Sequence, residues 1–257
     1  MATPGHSKAS RFYFDGYRVS QAVMSGNLDI ACDAAEATAI EDVAKVHVQG
    51  KVGMTCGFNG FLDIAESGWD ATEFAAINDG GHVVTICGAG TTTGSSAYVT
   101  YQHSTGDSRP FDQANIVLLN WSGAAEEQFG RGKVITTGEK AFTADGSDSG
   151  VSVGATSATQ TCIVALHVVA YSGLDEVEFQ IDESEDDASA DAYAQIEGWT
   201  IYTVGNAVAG TDVVTFTGTG SAFFVKTGAT EAWKRVTADV TGTGSVTVLG
   251  ASATAAG

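Results

Sequence analysis

The sequence predicts a mainly β protein, folded as an antiparallel sandwich or barrel with one short helix. Short runs rich in Val, Ile, Thr and Phe recur along the 257 residues and are separated by Gly, Asn, Asp or Ser. Glycine is abundant, with 32 residues, whereas only 2 prolines are present to interrupt strands. Apolar residues make up 44% of the chain, which is enough to build a core and argues against global disorder.

An Asp-Gly pair near the N-terminus predicts the first hairpin turn. A strand over Arg11–Phe14 is expected to reverse at Asp15–Gly16, because this pair favours two-residue turns. Alternating side chains predict a strand over Val43–Val48. Gly50 is then expected to turn the chain into a further strand over Val52–Ile64.

One helix is expected, at about residues 69–78. Ser67 or Asp70 can cap its start, and apolar residues follow at roughly helical spacing. The run Asn78–Gly81 is expected to stop it, because Asn, Asp and Gly disfavour a continuing helix.

Further strands are predicted on both sides of a polar stretch at residues 145–160. Before it they lie near His82–Cys87, Ala97–His103, Ala114–Trp121 and Lys133–Phe142. After it they are Thr161–Ala170, Glu176–Ile181, Trp199–Val204, Asp212–Phe216, Ser221–Val225, Trp233–Val240 and Ser245–Leu249. The Gly/Ser/Asp/Thr-rich stretch itself is predicted as a linker or long loop. The chain is therefore expected to form two β-rich halves, residues 1–144 and 161–257, which can be separate domains or pack into the same sandwich. The tail Gly250–Gly257 is expected to fray.

The charge is strongly acidic and unevenly distributed. Lys and Arg total 12 against 31 Asp and Glu, a net charge of −19, and residues 141–225 contain 13 acids and no Lys or Arg. Such a surface disfavours nucleic-acid binding, which depends on cations that neutralise phosphates. No apolar run is long enough for a membrane helix, and Met1–Ser10 lacks the apolar region of a secretory signal, so synthesis and use in a cytoplasm are expected.

The sequence predicts no catalytic residue, no cofactor site and no metal site. Four histidines fall inside predicted strands, where a neighbouring hydroxyl or backbone group is expected to satisfy them (His47, His82, His103 and His167). The acidic run Asp182–Asp187 is predicted to be a solvated, outward-facing loop. The run that starts at Asp145 begins like a calcium loop but carries Thr156 where a bidentate glutamate is needed. The four cysteines have no metal-site spacing and are expected to be reduced thiols, mostly buried in strands.

Two stretches resemble a known family. Phe12–Asp63 has a short aromatic-Asp strand, a long strand, an acid/threonine segment and a strand that ends in an aromatic-Leu-Asp pattern. A second stretch contains His-Val-x-Ala at His167–Ala170 and a closing Gly-x-Gly-Ser-Val at Gly242–Val246. Together they resemble the major tail tube proteins of long-tailed bacteriophages of the siphophage type, over a little more than a third of the chain.

This resemblance implies a β-sandwich flanked by a helix. Six copies would form a ring whose inner sheets join into a continuous β-barrel, and rings would stack into the tail tube. It implies a non-enzymatic virion protein, made in the host bacterial cytoplasm, whose partners are itself and other tail proteins. Genomic DNA would pass through the lumen without specific binding, and no membrane partner is expected. The alternatives are a capsid decoration or head–tail connector protein, or a carbohydrate-binding β-sandwich module.

The resemblance also suggests which residues meet in an assembly. Segment Asp29–Gln49 would be a loop between rings or subunits, with small side chains that suit close packing. Its candidate interface residues are Asp33, Ala34, Ala35, Glu36, Glu41, Asp42 and Lys45. The candidate lumen-facing acids are Asp29, Asp63, Glu176 and Glu178.

Overall fold

A computed structural model of the chain describes residues 9–21, 23–36, 47–61, 81–108, 118–126 and 128–255. These residues are built almost entirely from antiparallel strands, which confirms the predicted fold class. The helix predicted at residues 69–78 lies outside the described residues. Within the described part of the chain, no helix is long and apolar enough to cross a membrane.

The strands follow the chain in an order that builds one branched sheet. The first nine are β1 (Arg11–Phe14), β2 (Tyr17–Arg18), β3 (Val23–Glu36), β4 (His47–Phe61), β5 (Gly81–Cys87), β6 (Ser96–Ser108), β7 (Leu118–Glu126), β8 (Phe129–Val134) and β9 (Lys140–Phe142). The next seven are β10 (Gly146–Ser147), β11 (Val151–Ser152), β12 (Thr161–Ser184), β13 (Ala194–Gln195), β14 (Thr200–Ala209), β15 (Val213–Thr227) and β16 (Trp233–Thr254). The main path is β14-β15-β12-β16-β8-β6-β5-β1-β2, and β7, β4 and β3 branch from β6.

The first hairpin turn is present where the sequence predicts it. Phe14 pairs with Tyr17, so Asp15 and Gly16 form a two-residue turn. Their φ angles are 48° and 87°, the left-handed values that a type I′ turn requires at both positions. Asp-Gly is one of the few pairs that adopts them readily, so this turn follows from local chemistry.

Several turns predicted at glycines are wrong, because the strands continue through them. β4 continues through Gly50, and β12, β15 and β16 each join two predicted strands into one. The pairing of β12 with β16 shifts register between Ser172 and Glu176, where Gly173 and Gly242 have φ of 72° and 100°. These glycines therefore form β-bulges that bend long strands instead of ending them.

The opposite error occurs between β8 and β9. The sequence predicted one strand over Lys133–Phe142, whereas the chain leaves the sheet at Ile135 and returns at Lys140. Thr136 stabilises the loop between β8 and β9. Its hydroxyl donates to the Gly138 carbonyl at 2.8 Å and accepts a hydrogen bond from the Gly250 N–H at 3.0 Å. Such side-chain to backbone hydrogen bonds compete with the backbone hydrogen bonds between strands.

One hydrophobic cluster contains residues from both predicted halves. Tyr13, Val83 and Cys87 pack with Ile163 and Leu249. The odd-numbered residues of the first part of β12 face this cluster, and its even-numbered neighbours face a second cluster inside the C-terminal half. β12 is therefore a central strand that is covered on both faces.

The segment predicted as a linker contains the two short strands β10 and β11, and both pair with β16. The division into residues 1–144 and 161–257 stays a prediction.

The predicted fraying of the C-terminal tail is wrong for residues 250–253. β16 continues to Thr254 and pairs there with β12 and β8. A Cβ at Gly250 would lie only 3.1–3.2 Å from side-chain atoms of Leu166, Val236 and Ile135. The small residues that suggested a loose end are therefore required by close packing in the centre of the sheet.

Candidate assembly surface

Four strands of the first half form a sheet with one covered face and one open face. β3 pairs with β4, β4 with β7, and β7 with the far end of β6. Because side chains alternate along each strand, every second residue of all four strands points to the same face.

The covered face of this sheet carries large apolar side chains. Met54, Cys56 and Phe58 from β4 are buried, as is Trp121 from β7. The Phe58 and Trp121 rings lie 5.3 Å apart, and Phe14 meets the Trp121 ring edge-on at 4.9 Å. These aromatic contacts attach the sheet to the β1–β2 hairpin.

The open face is polar, and its side chains bond to one another. Asn59 on β4 donates to Ser25 on β3, and Asn120 on β7 donates to Ser108 on β6, each at 3.3 Å. Along β3, the Asn27 amide donates to the Asp29 carboxylate at 2.9 Å. A groove of about 530 Å³ lies on this face, lined mainly by Asn, Ser, Thr and Gly.

β3 is the outer strand of this sheet. Among the described strands it pairs with β4 alone, so no described strand pairs with its other edge along residues 24–31. Two of the three exposed large hydrophobic residues in the described chain lie on it, Met24 at 64% and Ile30 at 52% exposure. A groove of about 380 Å³ follows the same strand, lined in part by Phe12, Leu28 and Ile86.

The turn between β1 and β2 inserts into the C-terminal half. The Gly16 N–H donates to Nδ1 of His167 on β12, at 3.3 Å. Nδ1 must therefore be the acceptor, and the protonated Nε2 donates to the Thr85 hydroxyl at 2.9 Å. Burial lowers the pKa of His167 to about 3, so the ring is neutral in this contact.

Asp15 in the same turn is buried against β5. Its carboxylate lies 2.6 Å from Nδ1 of His82 and accepts the Val83 N–H at 2.8 Å. Burial raises the pKa of Asp15, and the hydrogen bonds from His82 and Val83 oppose that rise. Both side chains of the Asp–His pair have 0% exposure, so the pair is closed to a substrate and serves to hold the turn.

The four histidines predicted in strands differ in their environments. His47, His82, His103 and His167 all lie in strands, as expected. His167 is hydrogen-bonded by a hydroxyl and a backbone group, as predicted. His82 instead pairs with the Asp15 carboxylate, which is distant in sequence and was not predicted. Among the described residues, no group of three or more His, Cys, Asp or Glu could hold a metal ion. The expectation that the chain is not an enzyme stays a prediction.

The cysteine prediction is confirmed for three of the four residues. Cys56, Cys87 and Cys162 are buried, while Cys32 on β3 is exposed. Burial raises the pKa of Cys56 to about 11 and that of Cys87 to about 12, which keeps both protonated and unreactive.

The predicted interface segment is partly a strand. Residues 29–36 belong to β3 and residues 47–49 to β4, so the loop predicted over Asp29–Gln49 is wrong at both ends. β3 extends to Glu36 because its residues pair with β4. Of the candidate interface residues, Asp33, Ala34, Ala35 and Glu36 lie on β3, whereas Glu41, Asp42 and Lys45 lie outside the described residues.

The four candidate lumen acids are not brought together. Asp29 points to the open polar face, opposite Thr55. Glu176 and Glu178 lie on β12, where Glu178 pairs with Asp239 of β16. Asp63 lies outside the described residues.

The acidic run after β12 is a loop only in part. Asp182 lies in β12 with 3% exposure, and its carboxylate accepts from Arg235 Nε at 3.0 Å and from the Thr237 hydroxyl at 2.6 Å. The prediction that this residue faces solvent is therefore wrong, because two β16 side chains satisfy it. Beyond the strand, Asp186 accepts the backbone N–H groups of Ser189 and Ala190, as in an ordinary tight loop.

No protein-family model and no curated protein matches the sequence. Solved structures do match. A chain of the virion of a native gene transfer agent particle is 7% identical with a TM-score of 0.41, over 50% of this chain and 98% of that chain. The SPP1 tail tube is 10% identical with a TM-score of 0.39, over 49% of this chain and 78% of that chain.

The SPP1 Dit protein, described as the hub of an adsorption apparatus, is 11% identical with a TM-score of 0.35. That match spans 90% of this chain and 98% of the Dit chain. The matched chains therefore come from a gene transfer agent particle, a phage tail tube and a phage hub. At these identities and scores, a function has to rest on the chain's own residues.

Sequence reasoning did not find the residues that define this surface. Met24 and Ile30 look like ordinary strand residues, and their exposure depends on β3 being an outer strand. The polar alternation Ser25, Asn27 and Asp29 was a usable signal, since period-two polarity marks a strand face that is not in the core.

Proposed function

We propose that this chain is a structural protein of a virion tail, which assembles with copies of itself into stacked, six-membered rings that form the tail tube. The observation that carries the proposal is the outer edge of β3, a 14-residue strand with exposed Met24 and Ile30. The resemblance of the sequence to tail tube proteins supports an assembly of stacked rings.

An edge of this kind favours pairing with another strand. Monomeric proteins protect edge strands with short length, charge or proline, because the unpaired backbone groups otherwise template association. Over residues 23–32, β3 has no proline and carries only the charge of Asp29. A ring uses such an edge, since each copy can offer its β3 edge to a neighbouring copy.

The groove beside β3 supports the same surface. Its apolar lining from Phe12, Leu28 and Ile86 lies next to Met24. A strand added to β3 would place alternate side chains into this groove. The apolar area buried there would stabilise the contact by about 25 cal/mol per Å². The candidate interface residues Asp33–Glu36 continue the same strand toward its far end.

A head-to-tail contact between β3 and a different surface of the next copy is heterologous, so it closes into a ring or continues as a filament.

In this proposal the partners are further copies and other tail proteins, and the site of action is the virion tail after synthesis in the bacterial cytoplasm. DNA would pass through the tube without specific binding.

A charge placed on the β3 edge tests the proposal. Ile30→Lys should stop assembly, because a lysine at an edge disfavours strand addition, while its circular dichroism spectrum stays unchanged. Sedimentation velocity should then give a single species of 26.3 kDa.

The matched control is Val208→Lys. Val208 is the third exposed large hydrophobic residue, at 66%, and it lies on β14. This variant should assemble like the wild type. Normal assembly of Ile30→Lys, or equal loss in both variants, would contradict the assignment of the interface to β3.

A further inference from the structure

We propose that a cationic face on β8 of one copy, formed by Arg131 and Lys133, binds an acidic face of a second copy in the next ring. The acidic face is formed by Asp145, Glu178 and Asp239. This inference rests on the proposed function and adds to it the two surfaces through which one ring meets the next.

Two exposed cations lie side by side on the cationic face. Arg131 and Lys133 are two residues apart on β8, so both point to the same side of the sheet. Arg131 lies directly opposite the half-buried Tyr98 of β6. In the part of the chain that the structure describes, neither cation forms an ion pair, and Lys133 donates to the Ser152 carbonyl at 2.6 Å. Both charges are therefore available to an acid of another molecule.

Three exposed carboxylates line one groove on the acidic face. Glu178 of β12 and Asp239 of β16 are directly opposite each other, and like charges at such positions repel. Asp145 lines the same groove, which has a volume of about 290 Å³, and its carboxylate accepts the Val240 N–H at 2.9 Å. This arrangement is unfavourable in a single copy, and cations supplied by another copy would remove the repulsion.

The two faces lie on opposite sides of the sheet. Lys133 pairs with Ser252, which points to the same side of β16 as Val248 of the hydrophobic cluster in the C-terminal half. Both chain neighbours of Glu178 face that cluster, so Glu178 points to the other side. A contact between opposite sides is heterologous and can repeat from copy to copy without closing. A stack of rings requires a contact of this kind.

The strength of the contact depends on the number of copies that bind at once. One exposed ion-pair contact is weak in water and is screened by salt. When two rings meet, six identical contacts would form together, because the strand contacts within each ring already hold its copies in place. Stacking would therefore follow ring formation. Glu178, a candidate lumen-facing acid, would lie between rings in this arrangement.

Charge reversal tests the contact. Arg131→Glu with Lys133→Glu makes both faces acidic, and Glu178→Lys with Asp239→Lys makes both faces basic. Electron microscopy at low salt should show that each variant forms closed rings but no tubes. Mixing the two kinds of preformed ring should restore tubes, because each acidic face then meets a basic one.

A fourfold variant that combines these changes in one chain should form tubes alone, since it exchanges the charges of the two faces and leaves the net charge unchanged. The matched control is Glu185→Lys with Glu197→Lys, at two exposed positions outside both faces. It changes the net charge as much as Glu178→Lys with Asp239→Lys does, and it should form tubes of wild-type length. Wild-type tubes should separate into rings as the salt concentration rises.

Tubes of wild-type length from either charge-reversal variant alone would overturn the inference, as would a failure of both the mixed rings and the fourfold variant to stack. Loss of rings in a reversal variant that keeps the wild-type circular dichroism spectrum would also overturn it, because these charges would then belong to the contact within a ring. All of these results leave the tube function standing. A wild-type chain that forms neither rings nor tubes would instead count against the proposed function.

Discussion

At the scale of single residues, the Asp15–Gly16 turn connects the two halves of the chain. Gly16 has a φ of 87°, and a Cβ there would lie 2.5 Å from the carbonyl oxygen of Gly220 on β15. Glycine is therefore required twice, once by the backbone conformation and once by the approach of another strand.

Gly16→Ala should lower the free energy of unfolding by more than a matched glycine replacement. Gly94 is the control, because its φ is 78° and nothing lies within 4 Å of a Cβ built on it. Gly94→Ala should cost about 1 kcal/mol from backbone strain alone. Urea denaturation of both variants measures the difference, and equal losses would show that the contact with Gly220 is unimportant.

His167 should make stability fall in acid. Its pKa is lowered from 6.5 to about 3 by burial, so the folded state excludes a proton that the unfolded state binds. The stabilisation by neutral His167 is fully present above pH 6.5. It is lost as the pH falls toward 3, which lowers the free energy of unfolding by at most about 4–5 kcal/mol. Protonation would also place an Nδ1–H against the Gly16 N–H.

Urea unfolding between pH 7 and pH 3.5 measures this dependence. His167→Gln should be less stable at pH 7 but lose less stability on acidification than the wild type. An identical pH slope in the two proteins would show that other groups, and not His167, cause the loss.

At the residue scale, the sequence predicted the Asp15–Gly16 turn and the burial of most cysteines, because both depend on local chemistry or simple hydropathy. It could not predict that Asp15 meets His82, or Gly16 meets His167. These pairs are 67 and 151 residues apart in sequence, and only the fold brings them together.

At the scale of strands, the longest elements are bent and joined to one another by side-chain pairs. β12 and β16 pair from Cys162 to Ser184 through two regions of register shift. Near the end of this ladder, the Lys234 ammonium has 0% exposure and lies 3.1 Å from the Glu183 carboxylate. A buried ammonium without this partner would be costly.

Glu183→Gln should therefore destabilise the chain by about 3 kcal/mol, the usual cost of leaving one buried charge unpaired. The double variant Glu183→Gln with Lys234→Met removes both charges and should recover much of that loss. Thermal unfolding of the wild type and these two variants measures the loss and its recovery. A double variant that is less stable than Glu183→Gln alone would contradict this account of the pair.

At this scale the sequence predicted where strands lie better than where they end. Residues such as Gly173 and Gly242 resemble turn glycines in any local pattern. A bulge and a turn differ only in whether the partner strand continues opposite them, and that information is non-local. The same limit explains the wrong turn at Gly50 and the wrongly frayed residues after Gly250.

At the scale of the whole molecule, both predicted halves contribute to one hydrophobic core cluster, and β3 is an outer strand among the described ones. Tyr13 and Val83 pack with Ile163 and Leu249 in that core. Leu28 of β3 packs against a second cluster that contains Phe14 of the β1–β2 hairpin, so the hairpin connects β3 to the shared core. The edge would then present a defined geometry to the next copy, as a closed ring requires.

The mainly β class and the tail-protein resemblance were accessible from composition, turn signals and strand patterns. The assembly surface was not, because it depends on which strand is left at the outside of the sheet.

Electron microscopy of the purified wild-type chain at high concentration tests the central claim most directly. The account predicts closed rings or hollow tubes, with β3 of each copy in contact with its neighbour in the reconstruction. Fields that contain only single 26.3 kDa particles, or assemblies in which β3 faces solvent, would contradict it.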